Sequence, residues 1–238
     1  MKRVALFLAF LWSGIIGASA QVDRCDVNGE GEVDISDVTY VVDHILGRGH
    51  ANVFTGEAID LDLPSGTKWA SCNVGATKPE EYGGYYAWGE TEEKEVYDES
   101  TYKYYQNGKY VNIGSDISGT KYDVAHVKWG GNWCMPTLDD IKELLDNCTS
   151  KWTTLNGVNG RKFISKNNGN SIFLPAAGGH WNDGFDDAGE DGYYWSSTLY
   201  STSTSSNAYH LDFYWGDAYC YNGYLRNIGR SVRPVVRN

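Results

Sequence analysis

The stretch that most constrains this chain lies between residues 209 and 221, where Tyr209, Leu211 and Phe213 alternate with His210 and Asp212. Period-two alternation is the mark of a strand with one buried and one exposed face. The phase continues beyond Gly216, with Ala218 and Cys220 small and apolar and Asp217, Tyr219 and Tyr221 pointing the other way. Two paired strands turning near Gly216 would put Leu211, Phe213, Ala218 and Cys220 on a core face. His210, Asp212, Tyr214, Asp217, Tyr219 and Tyr221 would share the opposite face. A merely solvated face would carry Lys, Glu and Thr, whereas this one has the Tyr-rich composition of a binding surface. An ordinary Tyr-rich sheet is the alternative, since Tyr is a good strand former. Trp215, at the turn, joins the candidate ligand-binding set, and Tyr200 and Tyr224 enter it from flanking loops.

The chain begins with MKRVALFLAFLWSGIIGASA: two basic residues, an apolar core and a small-residue cleavage site after Ala20. This reads as a secretory signal peptide over 1–20, with Gln21 as the mature N-terminus and an exported, extracellular or surface location. No second apolar run is long enough to span a membrane. Losing Lys2 and Arg3 takes the formal net charge from −11 to −13. Such a charge argues against nucleic acid and anionic membranes as partners and suits cations and neutral ligands.

Residues 26–37, DVNGEGEVDISD, have the spacing of a calcium loop. Asp26, Asn28, Glu30, Asp34 and Asp37 supply oxygen at positions one, three, five, nine and twelve. Glu32 offers its backbone carbonyl at seven, and Gly31 makes the sharp turn at six. Val38, Val41, Val42, Ile45 and Leu46 then form a short amphipathic helix, stopped by Gly47. The segment 21–47 resembles one half of a dockerin, which implies bound calcium and a cohesin-like partner. A complete dockerin has two repeats and this chain has one. A degenerate acidic linker is the alternative. Residues 48–57 read as a linker to the main domain, 58–238.

In that domain the sequence reads as α+β, strand-dominated, with much loop. Strands are expected at 58–61, 69–74, 85–88 and 193–197, and a polar, Tyr-rich surface insertion over 90–128. One clear helix is expected over 138–148, capped by Thr137, with Ile141, Leu144, Leu145 and Cys148 at helical spacing. A β-meander follows over 150–174. No HExxH, nucleophile elbow or phosphate-cradling glycine loop is present, so no catalytic residue is assigned. The histidines have no metal spacing, and His44, His50 and His126 read as solvated. Residues 180–191, HWNDGFDDAGED, read as a solvated acidic loop, although Trp181-Asn182-Asp183 matches the calcium-site tripeptide of sugar-binding C-type lectins.

The motifs LDLPSGTKWA (61–70), CNVGA (72–76), YYAWGE (85–90), WGGNW (129–133), MPT (135–137), LPAAG (174–178), YWSS (194–197) and RSVRPV (230–235) occur in this order over about three quarters of the chain. With them the chain resembles the Fibrobacter succinogenes major paralogous domain, a family of exported bacterial domains. The resemblance implies a C-type-lectin-like fold, related in shape to formylglycine-generating enzymes. Residues 198–228 are similar to the variable cassettes of retroelement-diversified proteins, which display changeable residues on this fold. The cysteine-dependent activity of the enzyme relatives is not implied, because Cys220 is alone in the cassette. Cys72 and Cys148 sit in family-like contexts and form the preferred disulfide; buried free thiols are the equal alternative for the five cysteines. Two functions are expected: an exported adhesion module binding a glycan or surface protein, or an accessory part of a carbohydrate-degrading assembly docked by the calcium segment.

Overall fold

Short runs of aromatic and β-branched residues, punctuated by Gly, Asn and Pro, build most of the architecture. The computed structural model describes residues 56–200 and 205–237. The chain divides into two units, Met1–Val53 and Phe54–Asn238, and the described residues all belong to the second. The leader and the loop bearing Asp26, Asn28, Glu30, Glu32, Asp34 and Asp37 lie outside them.

Strand β1 (Ala58–Ile59) pairs antiparallel with β2 (Lys68–Ala70). The turn between them closes through the Gly66 N–H to the Leu63 carbonyl at 2.8 Å. The hairpin β3 (Tyr105–Gln106) and β4 (Lys109–Tyr110) and the short helix α1 (Val124–Trp129) follow. Next come β5 (Trp133–Cys134) and the helix α2 (Leu138–Asn147). A meander is formed by β6 (Cys148–Leu155), β7 (Val158–Ser165) and β8 (Ser171–Pro175). The hairpin β9 (Gly179–Trp181) and β10 (Gly184–Asp186) leads to β11 (Gly192–Leu199), β12 (Asn207–Phe213) and β13 (Ala218–Leu225), a three-stranded antiparallel sheet. Strand β14 (Gly229–Arg230) joins β9, and β15 (Val235–Val236) inserts between β2 and β5. The described domain is therefore α+β and mostly β.

Helix α2 forms where its cap dictates. Thr137 Oγ1 accepts from the Asp140 N–H at 3.2 Å, and an Asp140 carboxylate oxygen accepts from the Thr137 N–H at 2.7 Å, a reciprocal capping box. Its Ile141 and Leu144 are buried in a core with Phe163, Tyr194, Leu211 and Phe213. A second core gathers Trp88, Trp129, Met135, Trp195 and Val232. Arg233 is fully buried between segments. Its Nε donates to Asn73 Oδ1 at 2.8 Å, Nη1 to the Ala70 carbonyl at 3.0 Å and Nη2 to the Phe173 carbonyl at 2.9 Å.

Several expectations are corrected. Cys72 and Cys148 are not bonded: each is a buried free thiol, one in each core, and the buried Cys134 and half-buried Cys220 of the first core are free as well. The segment 90–128 is not a surface insertion. Tyr97 and Tyr102 pack with Tyr85 and Ala87 in a third buried cluster, and Ile117, Val124 and Ala125 enter the second core. Helix α1 is too short to show a period, but Asp123 caps it, accepting from the His126 N–H at 3.1 Å. The strand expected at 85–88 reduces to a single bridge, Tyr86 with Arg230, because its neighbours bond to turns rather than to a second strand. Strand β2 stops at Ala70, and the chain beyond it turns, with the Ala76 N–H bonding the Asn73 carbonyl at 3.0 Å. Among the described residues no helix is long and apolar enough to cross a membrane.

Candidate functional site

The phase of β12 and β13 is the one the alternation predicts. Leu211 and Phe213 are fully buried, with Phe213 against Tyr194 at 5.8 Å and Phe163 at 6.3 Å. Ala218 and Cys220 pack against the same core. The strands turn at Trp215 and Gly216, closed by the Tyr214 N–H to the Asp217 carbonyl at 3.0 Å.

The opposite face is not an open sheet. Arg230 of β14 lies on it, 97 % buried, with its guanidinium carbon 4.4 Å from the Tyr224 ring centre, 4.7 Å from Tyr193 and 5.0 Å from Trp195. The parallel bridge of Tyr194 to Ser231 holds this segment against β11, and the antiparallel bridge of Tyr86 to Arg230 ties it to the chain at Tyr86. His210, expected on display, is consequently buried. It lies opposite Trp195 in register, with ring centres 6.0 Å apart. Burial first, and the Arg230 charge second, hold its imidazole well below the usual range, so it is neutral.

Beside Arg230 opens a cavity of about 360 Å³. Strands β12 and β13 contribute His210, Asp212, Tyr219 and Tyr224, and β11 contributes Tyr193. The loop that read as solvated supplies Trp181, Asp186, Asp187 and Asp191. Its acidic residues are largely exposed, as expected, but the loop is tied down. The Gly189 N–H bonds the Ala176 carbonyl at 2.7 Å, and the Asp191 N–H bonds the Asp187 carbonyl at 2.9 Å. Gly178 makes its close approach possible: with φ 61°, a Cβ there would meet the Asp186 carbonyl oxygen at 2.1 Å. The Tyr193 hydroxyl lies 2.8 Å from Asp187 Oδ2 and 2.9 Å from Asp191 Oδ2, so one phenolic proton serves two carboxylates.

The electrostatics are lopsided. Four carboxylates face one guanidinium. Burial pushes the Asp212 carboxyl up to about 6; Asp191 and Asp187 push the same way, while Arg230 and a hydrogen bond from Tyr219 oppose them. Burial lowers Arg230 to about 10, and Asp212, Tyr224 and Tyr193 partly restore it, so it stays charged at neutral pH. Its Nε and Nη1 have no hydrogen-bond partner among the described residues. Their neighbours are ring faces and a carboxylate felt across space, which leaves a costly donor set waiting for an acceptor.

Of the nine residues singled out from sequence, His210, Asp212, Tyr219 and Tyr224 come together here. Tyr214, Trp215 and Asp217 form the adjoining turn, with Trp215 76 % exposed. Tyr200 packs instead on Tyr209 with ring centres 5.3 Å apart. The Tyr221 backbone pairs with His210, and its side chain lies outside the described residues. Sequence reasoning missed Trp181, Tyr193, Asp186, Asp187, Asp191 and Arg230 as members of one site. The acidic run was visible as a cluster, but nothing local said it folds over β11. Among the described residues no group of three or more His, Cys, Asp or Glu side chains is placed to hold a metal ion. Of Trp181-Asn182-Asp183, Trp181 lines the cavity.

A family model described as Domain of unknown function (DUF8237) matches residues 145–235, less than half of the chain but the part that contains every residue lining the cavity. No curated protein and no solved structure matches the chain.

Proposed function

We propose that this protein is an exported binding module whose domain 58–238 has a C-type-lectin-like fold, and that its cavity holds a neutral, polyhydroxylated unit of a glycan. The observation that carries the reading is the buried Arg230, with Nε and Nη1 unpartnered, in the same cavity as Asp186, Asp187, Asp191 and Asp212. A hydroxyl accepts from a guanidinium and donates to a carboxylate at once, so neighbouring hydroxyls match this lining. An anion would meet four carboxylates, and a cation would meet Arg230. Trp181, Tyr219 and Tyr224 add flat apolar faces with polar tips, suited to the faces of sugar rings. The fold assignment draws support from β15 pairing with β2, which sets the two ends of the domain side by side, and from the place of the family-like motifs in its cores.

A glycan array probed with the mature protein tests the reading, with Asp212→Asn and Trp181→Ala alongside. Binding of neutral glycans, weakened by both substitutions while each variant still unfolds in one cooperative transition, is the expected result. An array that stays blank, or binding indifferent to both changes, ends the proposal.

The calcium segment gives a second element of function. Asp26, Asn28, Glu30, Asp34, Asp37 and the Glu32 carbonyl are proposed to bind one calcium ion, by the loop spacing of the sequence. Docking to a cohesin-like partner in a carbohydrate-degrading assembly would use that segment. Calorimetric titration of the mature protein with calcium, against Asp26→Ala, is the check; no heat at millimolar ion would leave an acidic linker.

A further inference from the structure

The cavity does not end at Tyr219. That residue lines the cavity and is 37 % exposed, and its ring centre lies 6.4 Å from that of Tyr214, which lies 6.1 Å from that of Trp215. Tyr219 pairs with Asp212, so the turn at Trp215 begins three residues beyond the cavity wall. At strand spacing that is roughly 10 Å. A row of rings therefore leads from the cavity to an exposed platform.

The platform is held, not floppy. Arg161, itself 95 % buried, donates from Nη1 to the Tyr214 carbonyl at 2.9 Å and from Nε to Ser150 Oγ at 2.9 Å. The meander thus anchors the β12–β13 turn. The Tyr214 ring lies over Gly216, where a Cβ would come within 2.5 Å of it. Trp215 is then presented 76 % exposed on a turn pinned from below. Folding would ordinarily cover so large an apolar ring, and a pre-ordered exposed ring lowers the ordering cost of binding.

We infer that the ligand is a chain: the cavity takes one neutral sugar unit, and the Tyr219–Tyr214–Trp215 row stacks the units that follow it. The inference rests on the glycan reading of the cavity. It adds that the protein recognises oligosaccharides of several units and discriminates against the single sugar. The occupant is fixed by continuity, because Tyr219 belongs to both the cavity wall and the row, and by charge. Asp217 is the exposed charged side chain at the turn, and Arg161 beneath it is buried and already bonded to Tyr214 and Ser150, so the platform offers nothing to an anionic chain.

The test is a length series. The mature protein is titrated with neutral oligosaccharides of one to six units built on glucose, xylose and mannose. For at least one backbone, affinity should rise about tenfold or more from one unit to three and then level off, the scale of one or two ring contacts. Trp215→Ala should flatten that rise while leaving the single-unit affinity and the melting temperature unchanged. Asp212→Asn should weaken every length alike. Equal affinity at all lengths overturns the inference and leaves the cavity reading standing, as does a Trp215→Ala loss that is the same at every length. No binding at any length on any backbone overturns both.

Discussion

Asp212 sits where burial and two neighbouring carboxylates favour its protonated form, which raises it from 3.8 to about 6. The folded protein therefore binds this proton more tightly than the unfolded chain does. Its contribution to stability is fully present below about pH 4 and is lost as pH rises through about 6. Asp212→Asn removes that dependence. Its melting temperature relative to the parent should be higher at pH 8 than at pH 4, and an equal difference at both would refute the assignment. Glycan affinity of the parent should fall as pH drops through 6, because the protonated carboxyl loses its charge-assisted hydrogen bond. The two faces of the sheet separate just as cleanly. Phe213→Ala should cost about 3–5 kcal/mol as a core truncation, read from denaturant unfolding. Tyr219→Ala, at a position 37 % exposed, should cost about 1 kcal/mol or less while lowering glycan affinity.

At the level of elements, the helix α2 and the sheet β11–β12–β13 share one core. Residues Ile141 and Leu144 on the helix meet Leu211 and Phe213 on the sheet. Positioning of the binding face therefore depends on a helix on its far side. The Thr137–Asp140 box holds the start of that helix, and the Leu138 N–H also bonds Thr198 Oγ1 at 3.0 Å, tying helix to β11. Thr137→Ala should cost about 1 kcal/mol, visible as a lowered unfolding midpoint. Thr137→Ser, which keeps the capping oxygen, should restore most of it. If alanine and serine behave alike, the cap is not what holds the helix.

Across the whole molecule, arginines do work usually left to apolar side chains. Arg233 fastens the end of β2 and the segment after it to the middle of β8 through three hydrogen bonds. Arg226, also fully buried, stacks 4.8 Å from Trp88 and reaches Tyr102 and the Val111 carbonyl. Each satisfies backbone carbonyls left over by the short strands and the loops between them. Replacing Arg233 by Met strands two backbone carbonyls and Asn73 in the interior. That should cost about 3 kcal/mol or more, measured by equilibrium unfolding. A near-neutral result would mean that water takes over those carbonyls.

The elements whose signal is local were legible in the residues alone. Alternation through residues 211–220 set the phase of β12 and β13, because successive side chains of a strand point to opposite faces. Thr137 and the spacing of Ile141 and Leu144 set α2 to within one residue, and the turn at Gly216 followed from its flanks. The cover of Arg230 over His210, the folding of the acidic run onto β11 and the burial of Tyr97 and Tyr102 came from long-range packing. Each of these joins residues far apart in the chain, at positions where the local pattern is satisfied by solvent as readily as by protein. A tyrosine in a polar stretch carries no period that tells core from surface. The same holds for a free thiol: Cys72 and Cys148 went to different cores because their neighbours in space, not in sequence, packed there.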